Sequence, residues 1–313
     1  MQIKLGQMGG LLALLAIVHV SFNPTSAVAQ DEIAGTSDVS QVPTVECGGV
    51  QLPCDSEGGT YHLAVPQTPP RQAGYPVLIH LHGWASSGSA VMKNRGLVET
   101  ANRRGYVVIA PTGLKTPWGK RDWSVRDGAD RPRRDEIGFL QGVLKSVAAK
   151  LPVNTNQVLL SGFSRGGSMV WDIACAAPET FAAYAPLAGG FWAPLPRRCS
   201  GPARLFHTHG WADVTVPMEG RRLGRSRMVQ GDIFAGLRIW RQTNGCLRRV
   251  ADERITDGER WTRNWTSCNG GKDLRLMLHP GGHGMPKGWV ETALDWFEAE
   301  VPPTKKALAT GSP

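Results

Sequence analysis

Apolar and polar positions follow two rhythms along this chain. Short, nearly unbroken apolar runs recur at 61–65, 76–82, 106–110, 157–161, 183–188, 203–209 and 274–279. Runs of that length suit strands covered on both faces. Between them lie longer segments whose apolar residues return every three or four positions, at 91–103, 136–150, 167–176, 233–243 and 289–298, and these predict amphipathic helices. Asp135 and Glu136 give the second of these helices an acidic start, which suits a helix N-terminus. Strand and helix alternate throughout, which predicts a mostly parallel α/β sheet with helices on both faces. About 255 residues suit a single domain, with bounds at 46–301.

Chemistry enters between the run at 157–161 and the helix after it. Gly162-Phe163-Ser164-Arg165-Gly166 is a G-x-S-x-G turn from strand to helix, the signature of a nucleophile elbow. Glycines two places either side of the serine allow a tight turn that lifts the hydroxyl clear of the sheet. A serine hydroxyl needs a base, and the base needs a third group to hold it. Asp213 follows the run ending in His207-Thr208-His209-Gly210, and His283 follows the run ending at His279. Both fall just past strand ends, in the order serine, acid, histidine, and they complete a candidate triad. The backbone N–H groups of Trp84, after His82-Gly83, and of Arg165 are the candidate oxyanion donors. Asp122 and Asp127 sit in a nearby loop as possible substrate contacts.

Two His-x-His pairs, His80/His82 and His207/His209, each share one strand face and invite a metal reading. Neither has an acidic or cysteine partner in sequence. They are read instead as hydrogen-bonding to loop backbone, with no metal and no cofactor expected.

Residues 1–29 carry a basic start at Lys4, an apolar core and Ala27-Val28-Ala29, the pattern of a cleaved export signal. The expected mature chain therefore starts at Gln30, with a flexible lead over 30–45 and a loose tail over 302–313. The apolar core is shorter than the roughly twenty residues a membrane span needs. Six cysteines in an exported chain predict disulfides, and proximity favours Cys47–Cys54, Cys175–Cys199 and Cys246–Cys268. The net charge of +9 comes with arginine clusters at Arg131, Arg133 and Arg134, at Arg197 and Arg198, at Arg221, Arg222, Arg225 and Arg227, and at Arg248 and Arg249. No aromatic-interleaved basic motif accompanies them, so they are read as solvated surface and not as a nucleic-acid site. Of the eleven tryptophans, Trp84, Trp123, Trp192 and Trp211 fall near strand ends on the side of the elbow. Trp123, Trp192 and Trp211 are candidate substrate walls.

Gly58-Gly59-Thr60-Tyr61, His82-Gly83, Arg134-Asp135-Glu136, the elbow with Gly167-Ser168-Met169, Cys175-Ala176-Ala177-Pro178, His209-Gly210 before Asp213, and His283 form a wider pattern. On these residues the chain, from about Cys47 to Ala299, resembles the secreted polyhydroxybutyrate depolymerase and feruloyl/acetyl-xylan esterase group of α/β-hydrolases. The resemblance implies ester hydrolysis by Ser164, Asp213 and His283 on a polyester, feruloyl or acetyl substrate. Where relatives often carry a small or polar residue after His-Gly, this chain has Trp84. An acyltransferase using the same acyl-enzyme, and a non-catalytic polymer-binding protein, are the alternatives.

Overall fold

The computed structural model describes residues 42–125, 134–225 and 228–299. The expected export signal, the expected lead up to residue 41, the expected tail, Asp127, Arg131, Arg133 and Arg227 lie outside the described residues. The sheet has ten strands. In chain order they are β1 (Cys54–Ser56), β2 (Gly59–Ala64), β3 (Tyr75–Leu81), β4 (Val107–Pro111) and β5 (Val153–Phe163). Then come β6 (Ala183–Leu187), β7 (Leu205–Gly210), β8 (Glu253–Asp257), β9 (Arg260–Trp265) and β10 (Leu274–His279). Their order across the sheet is β1-β2-β4-β3-β5-β6-β7-β10-β9-β8. The middle of the sheet, β4 through β10, is parallel. An antiparallel pair closes each edge.

The strand β3 is buried at every residue, as a parallel strand covered on both faces must be. Its alternate side chains feed two separate cores. Val77, Ile79 and Leu81 join the core under α3 (Glu136–Ala148), α4 (Arg165–Ala176) and α5 (Ile233–Thr243). Leu78 joins the core under α1 (Gly88–Met92), α2 (Arg95–Arg103) and α6 (Trp289–Glu298). This is the α/β arrangement expected from the alternation.

Three differences from expectation have local causes. The helix expected over 91–103 breaks in two, because the Asn94 side chain accepts from Leu97 N–H and restarts the helix as its cap. The helix after the elbow begins at Arg165 and not Gly167, so Ser164 is its N-terminal neighbour. The hairpin β8–β9 carries no apolar alternation on β8, which is exposed along its whole length. Its signal was Asp257-Gly258: Gly258 has φ 55° in a two-residue turn between paired Asp257 and Arg260.

Disulfides join Cys47 to Cys54, Cys175 to Cys199 and Cys246 to Cys268, the pairing that proximity favours. The second ties the end of α4 to the segment after β6, and the third ties the segment after α5 to the approach to β10. Asp135 caps α3, accepting from Gly138 N–H at 3.0 Å. Among the described residues no helix is long and apolar enough to cross a membrane.

Candidate active site

Ser164 stands between β5 and α4 with φ 57° and ψ −117°, a conformation that costs a non-glycine residue about 1–3 kcal/mol. The surroundings hold it there. Its N–H donates to the Leu187 carbonyl at 2.8 Å, and its carbonyl accepts from Ser168 N–H at 2.9 Å. The flanking glycines are needed for space: a Cβ on Gly166 would lie 2.2 Å from the Leu81 carbonyl oxygen, and one on Gly162 would lie 2.6 Å from backbone of Gly166. The tips of β3 and β5 and the start of α4 can therefore meet only without side chains at these two positions.

The sheet order explains how distant residues converge. β5, β7 and β10 run parallel in the middle of the sheet, so the loops after them open at the same end. The loop after β10 brings His283 to the serine, with Nε2 2.8 Å from Ser164 Oγ. The loop after β7 brings Asp213 to the histidine, with Oδ2 2.7 Å from His283 Nδ1. A carboxylate only accepts, so Nδ1 carries the imidazole proton and Nε2 is left to accept from the serine hydroxyl. Asp213 is itself fixed, because Oδ1 accepts from the N–H groups of Thr215 and Val216, each at 2.8 Å. The carboxylate is fully buried, and the His283 ring is mostly so. Phe163 packs against that ring at 4.8 Å between centroids.

Ser164 opens into a cavity of about 270 Å³. Its walls include Trp84, Phe191, Trp192, Val216, Leu223 and Met228, an aromatic and aliphatic lining. Ser168 and Gln230 are among its polar members. Trp84 and Arg165, the expected oxyanion residues, both line it beside Ser164. The Trp84 loop lies directly against the elbow: a Cβ on Gly83 would sit 3.3 Å from Phe163 Cδ1 and 3.4 Å from Ser164 Cβ.

The other candidate residues divide. Trp192 lines the cavity, and its indole N–H donates to Ser168 Oγ at 3.2 Å. Trp123 does not reach substrate space. It is 1% exposed, its N–H donates to the His82 carbonyl at 2.8 Å, and its ring lies against the His82 imidazole, so it is a brace under the Trp84 loop. Trp211 does not line the cavity. It is 61% exposed and pairs with Trp261, itself 51% exposed, at 6.2 Å between centroids. Asp122 is no substrate contact either: it is buried and binds the Arg165 guanidinium through both oxygens, at 2.9 and 3.2 Å. That guanidinium also lies 4.6 Å over the Trp192 ring. Sequence reasoning missed this ion pair, although an arginine inside the elbow is a charge that must find a buried partner.

The histidine pairs are hydrogen-bonded to protein groups. His82 Nε2 accepts from Gly113 N–H at 2.9 Å, so its Nδ1 donates to the Gly83 carbonyl at 2.7 Å. His209 Nε2 lies 2.7 Å from the Val216 carbonyl oxygen. Burial holds the His80 pKa down to about 3 and that of His82 to about 4. Burial likewise lowers His209, against the opposing pull of the Val216 carbonyl and Asp213.

No family model matches the chain. In sequence it is 24% identical over 281 residues to an Aspergillus niger protein named "Probable feruloyl esterase C", covering 86% of this chain and 91% of the relative. It is 25% identical over 207 residues to feruloyl esterase D of Neurospora crassa. That match covers 65% of this chain, and the chain spans only 62% of that relative's length. In fold it is similar to the acetyl xylan esterase of Aspergillus awamori, with a TM-score of 0.56 at 13% identity over 77% of this chain and 94% of that one. The fold and the elbow thus define an α/β-hydrolase. Within that class the chain resembles the feruloyl and acetyl-xylan esterases, and it is a carboxylic ester hydrolase.

Proposed function

We propose that this protein is an exported serine esterase in which Ser164, His283 and Asp213 form the catalytic triad. The observation that carries the reading is the continuous hydrogen-bond chain from Ser164 Oγ through both His283 nitrogens to Asp213 Oδ2. His283 Nε2 takes the serine proton as Oγ attacks the ester carbonyl. Asp213 holds Nδ1–H and stabilises the imidazolium that forms. The N–H groups of Arg165 and Trp84 receive the oxyanion. His283 then protonates the departing alcohol, and water repeats the sequence on the acyl-enzyme. Three disulfides and the amino-terminal export pattern support work outside the reducing cytoplasm.

The aromatic lining of the cavity favours an aromatic acid over a bare acetyl group, in keeping with the feruloyl esterase names of the sequence relatives. The test compares residues 30–313 with the Ser164→Ala variant on methyl ferulate, p-nitrophenyl acetate and butyrate, acetylated xylan and hydroxybutyrate oligomers. The expected result is highest kcat/KM on methyl ferulate and none above background in the variant. Best turnover on hydroxybutyrate oligomers would instead select the depolymerase branch. Equal rates for the two proteins would overturn the serine mechanism.

A further inference from the structure

Asp213 is tied to the helix that Ser164 opens by a buried chain of side chains. Trp171 lies on α4, and an indole N–H can only donate. Its Nε1 is 3.2 Å from His207 Nδ1, so that nitrogen holds the lone pair and His207 carries its proton on Nε2. That Nε2 is 3.1 Å from His209 Nδ1, which must therefore accept. The His209 proton is left on Nε2, 2.7 Å from the Val216 carbonyl oxygen and 3.4 Å from Asp213 Oδ2. Val216 is thus held at both ends, since its N–H donates to Asp213 Oδ1. All three rings are buried, so no water competes for these bonds. Trp171 itself is clamped edge-on by Phe191, at 4.8 Å between centroids.

We propose that His209, oriented through His207 by the Trp171 indole, is a positioning residue for the acid. It fixes the turn from Asp213 to Val216 so that Oδ2 meets His283 Nδ1. The proposal rests on reading Ser164, His283 and Asp213 as the triad. Each bond in the chain has one permitted direction, because it starts at an obligate donor and ends at a carbonyl that only accepts. A buried polar chain with every member satisfied specifies one arrangement more sharply than apolar packing does. Both imidazoles must stay neutral for it to persist. Burial holds His207 well below the ordinary histidine range, His209 beside it adding to the effect and the Pro186 carbonyl opposing it. His209 is also lowered, with His283 pushing the same way and the Val216 carbonyl, Asp213 and Glu219 opposing.

The test uses the full mature chain and three variants. His209→Leu removes the donor, His209→Gln keeps an N–H on a side chain of similar reach, and Trp171→Phe removes the indole N–H together with part of the buried ring. Activity on p-nitrophenyl butyrate is normalised to the folded fraction from circular dichroism. His209→Leu should lower kcat about ten- to a hundredfold with KM little changed, and His209→Gln should restore most of the loss. Trp171→Phe should lower kcat in the same direction. Side-chain 15N spectra of the unmodified protein should show His207 and His209 both protonated on Nε2. A folded His209→Leu protein with kcat within about twofold of the parent would overturn the proposal, since a merely structural role would move stability alone. If that variant does not fold, the Trp171→Phe rates and the 15N spectra decide, and a proton on His209 Nδ1 would overturn it. Ser164→Ala separates the two readings. Inactive Ser164→Ala beside active His209→Leu removes only the positioning role. Active Ser164→Ala removes the triad and this proposal with it.

Discussion

The two His-x-His pairs have the same spacing, lie at the same end of the same sheet, and are both buried, yet they are wired differently. On β3 and just beyond it, His80 and His82 act separately. His80 Nδ1 meets Ser161 Oγ at 2.9 Å on the neighbouring strand, while His82 binds the backbone of Gly83 and Gly113 around the loop that carries Trp84. On β7, His207 and His209 bond to each other and reach from α4 to the loop that carries Asp213. The difference comes from what stands across from each pair. Trp171 presents an obligate donor to His207, whereas the His82 ring faces backbone groups and the Trp123 ring. The same strand-face pattern that could chelate a metal is used here to hold two loops, one carrying Trp84 and one carrying Asp213.

Four changes would break or sharpen that contrast. The largest is Asp213→Asn, which keeps the acid loop but supplies the wrong hydrogen-bonding partner to His283. It should lower kcat by roughly 10⁴ with the melting temperature little changed. A loss below tenfold would remove the acid loop from the mechanism.

Next is His82→Leu, beside the loop that carries Trp84. It leaves the Gly113 N–H without its partner, at about 1–3 kcal/mol, while the Gly83 carbonyl loses the His82 bond but keeps that from Ser86 N–H. The urea midpoint should fall by more than in His209→Gln, with kcat also reduced because Gly83 sits against Ser164. An unchanged midpoint would mean that the His82 bonds hold nothing.

The third change is acidification. The His80 and His82 pKa values are depressed from 6.5 to about 3 and about 4. Below pH 6.5 the unfolded chain takes up protons that the native state refuses. Stability present at pH 7 is therefore lost as pH falls from 6.5 toward 4, at roughly 1.4 kcal/mol per pH unit for each group. Burial lowers His207 and His209 in the same direction, so they steepen the loss. Urea midpoints at pH 7 and pH 5 measure this, and a midpoint no lower at pH 5 would contradict it.

Last is Trp123→Phe, which removes one bond to the His82 carbonyl, about 1 kcal/mol, together with part of a buried ring. KM should stay put because the ring touches no substrate space, whereas Trp192→Ala should raise KM. A KM shift in Trp123→Phe equal to that in Trp192→Ala would return Trp123 to the cavity wall.

The elbow and its two partners were legible in the sequence because each sits at a fixed place in a rigid pattern, one turn past the end of an apolar run. The parallel strands were legible for a related reason: burial on both faces leaves an apolar run with nothing else to be. β8 was not, since an exposed edge strand has no apolar face to reveal it and only Asp257-Gly258 marked its turn. The roles of Trp123 and Asp122 were hidden because the sequence shows which residues lie near the elbow but not which way they face. Trp123 turns inward to the His82 carbonyl, and Asp122 turns inward to Arg165. The linkage from Trp171 through His207 to His209 was also hidden, because it depends on a helix residue and a strand residue 36 positions apart meeting in the core.

The central claim is that Ser164 is the nucleophile of an acyl-enzyme mechanism. Its most direct test is labelling residues 30–313 with a fluorophosphonate and locating the adduct by mass spectrometry. The account predicts one adduct per chain, on Ser164, with ester hydrolysis lost in step with labelling and no adduct in Ser164→Ala. Full hydrolytic activity with Ser164 unlabelled, or an adduct on another residue that tracks the loss of activity, would contradict it.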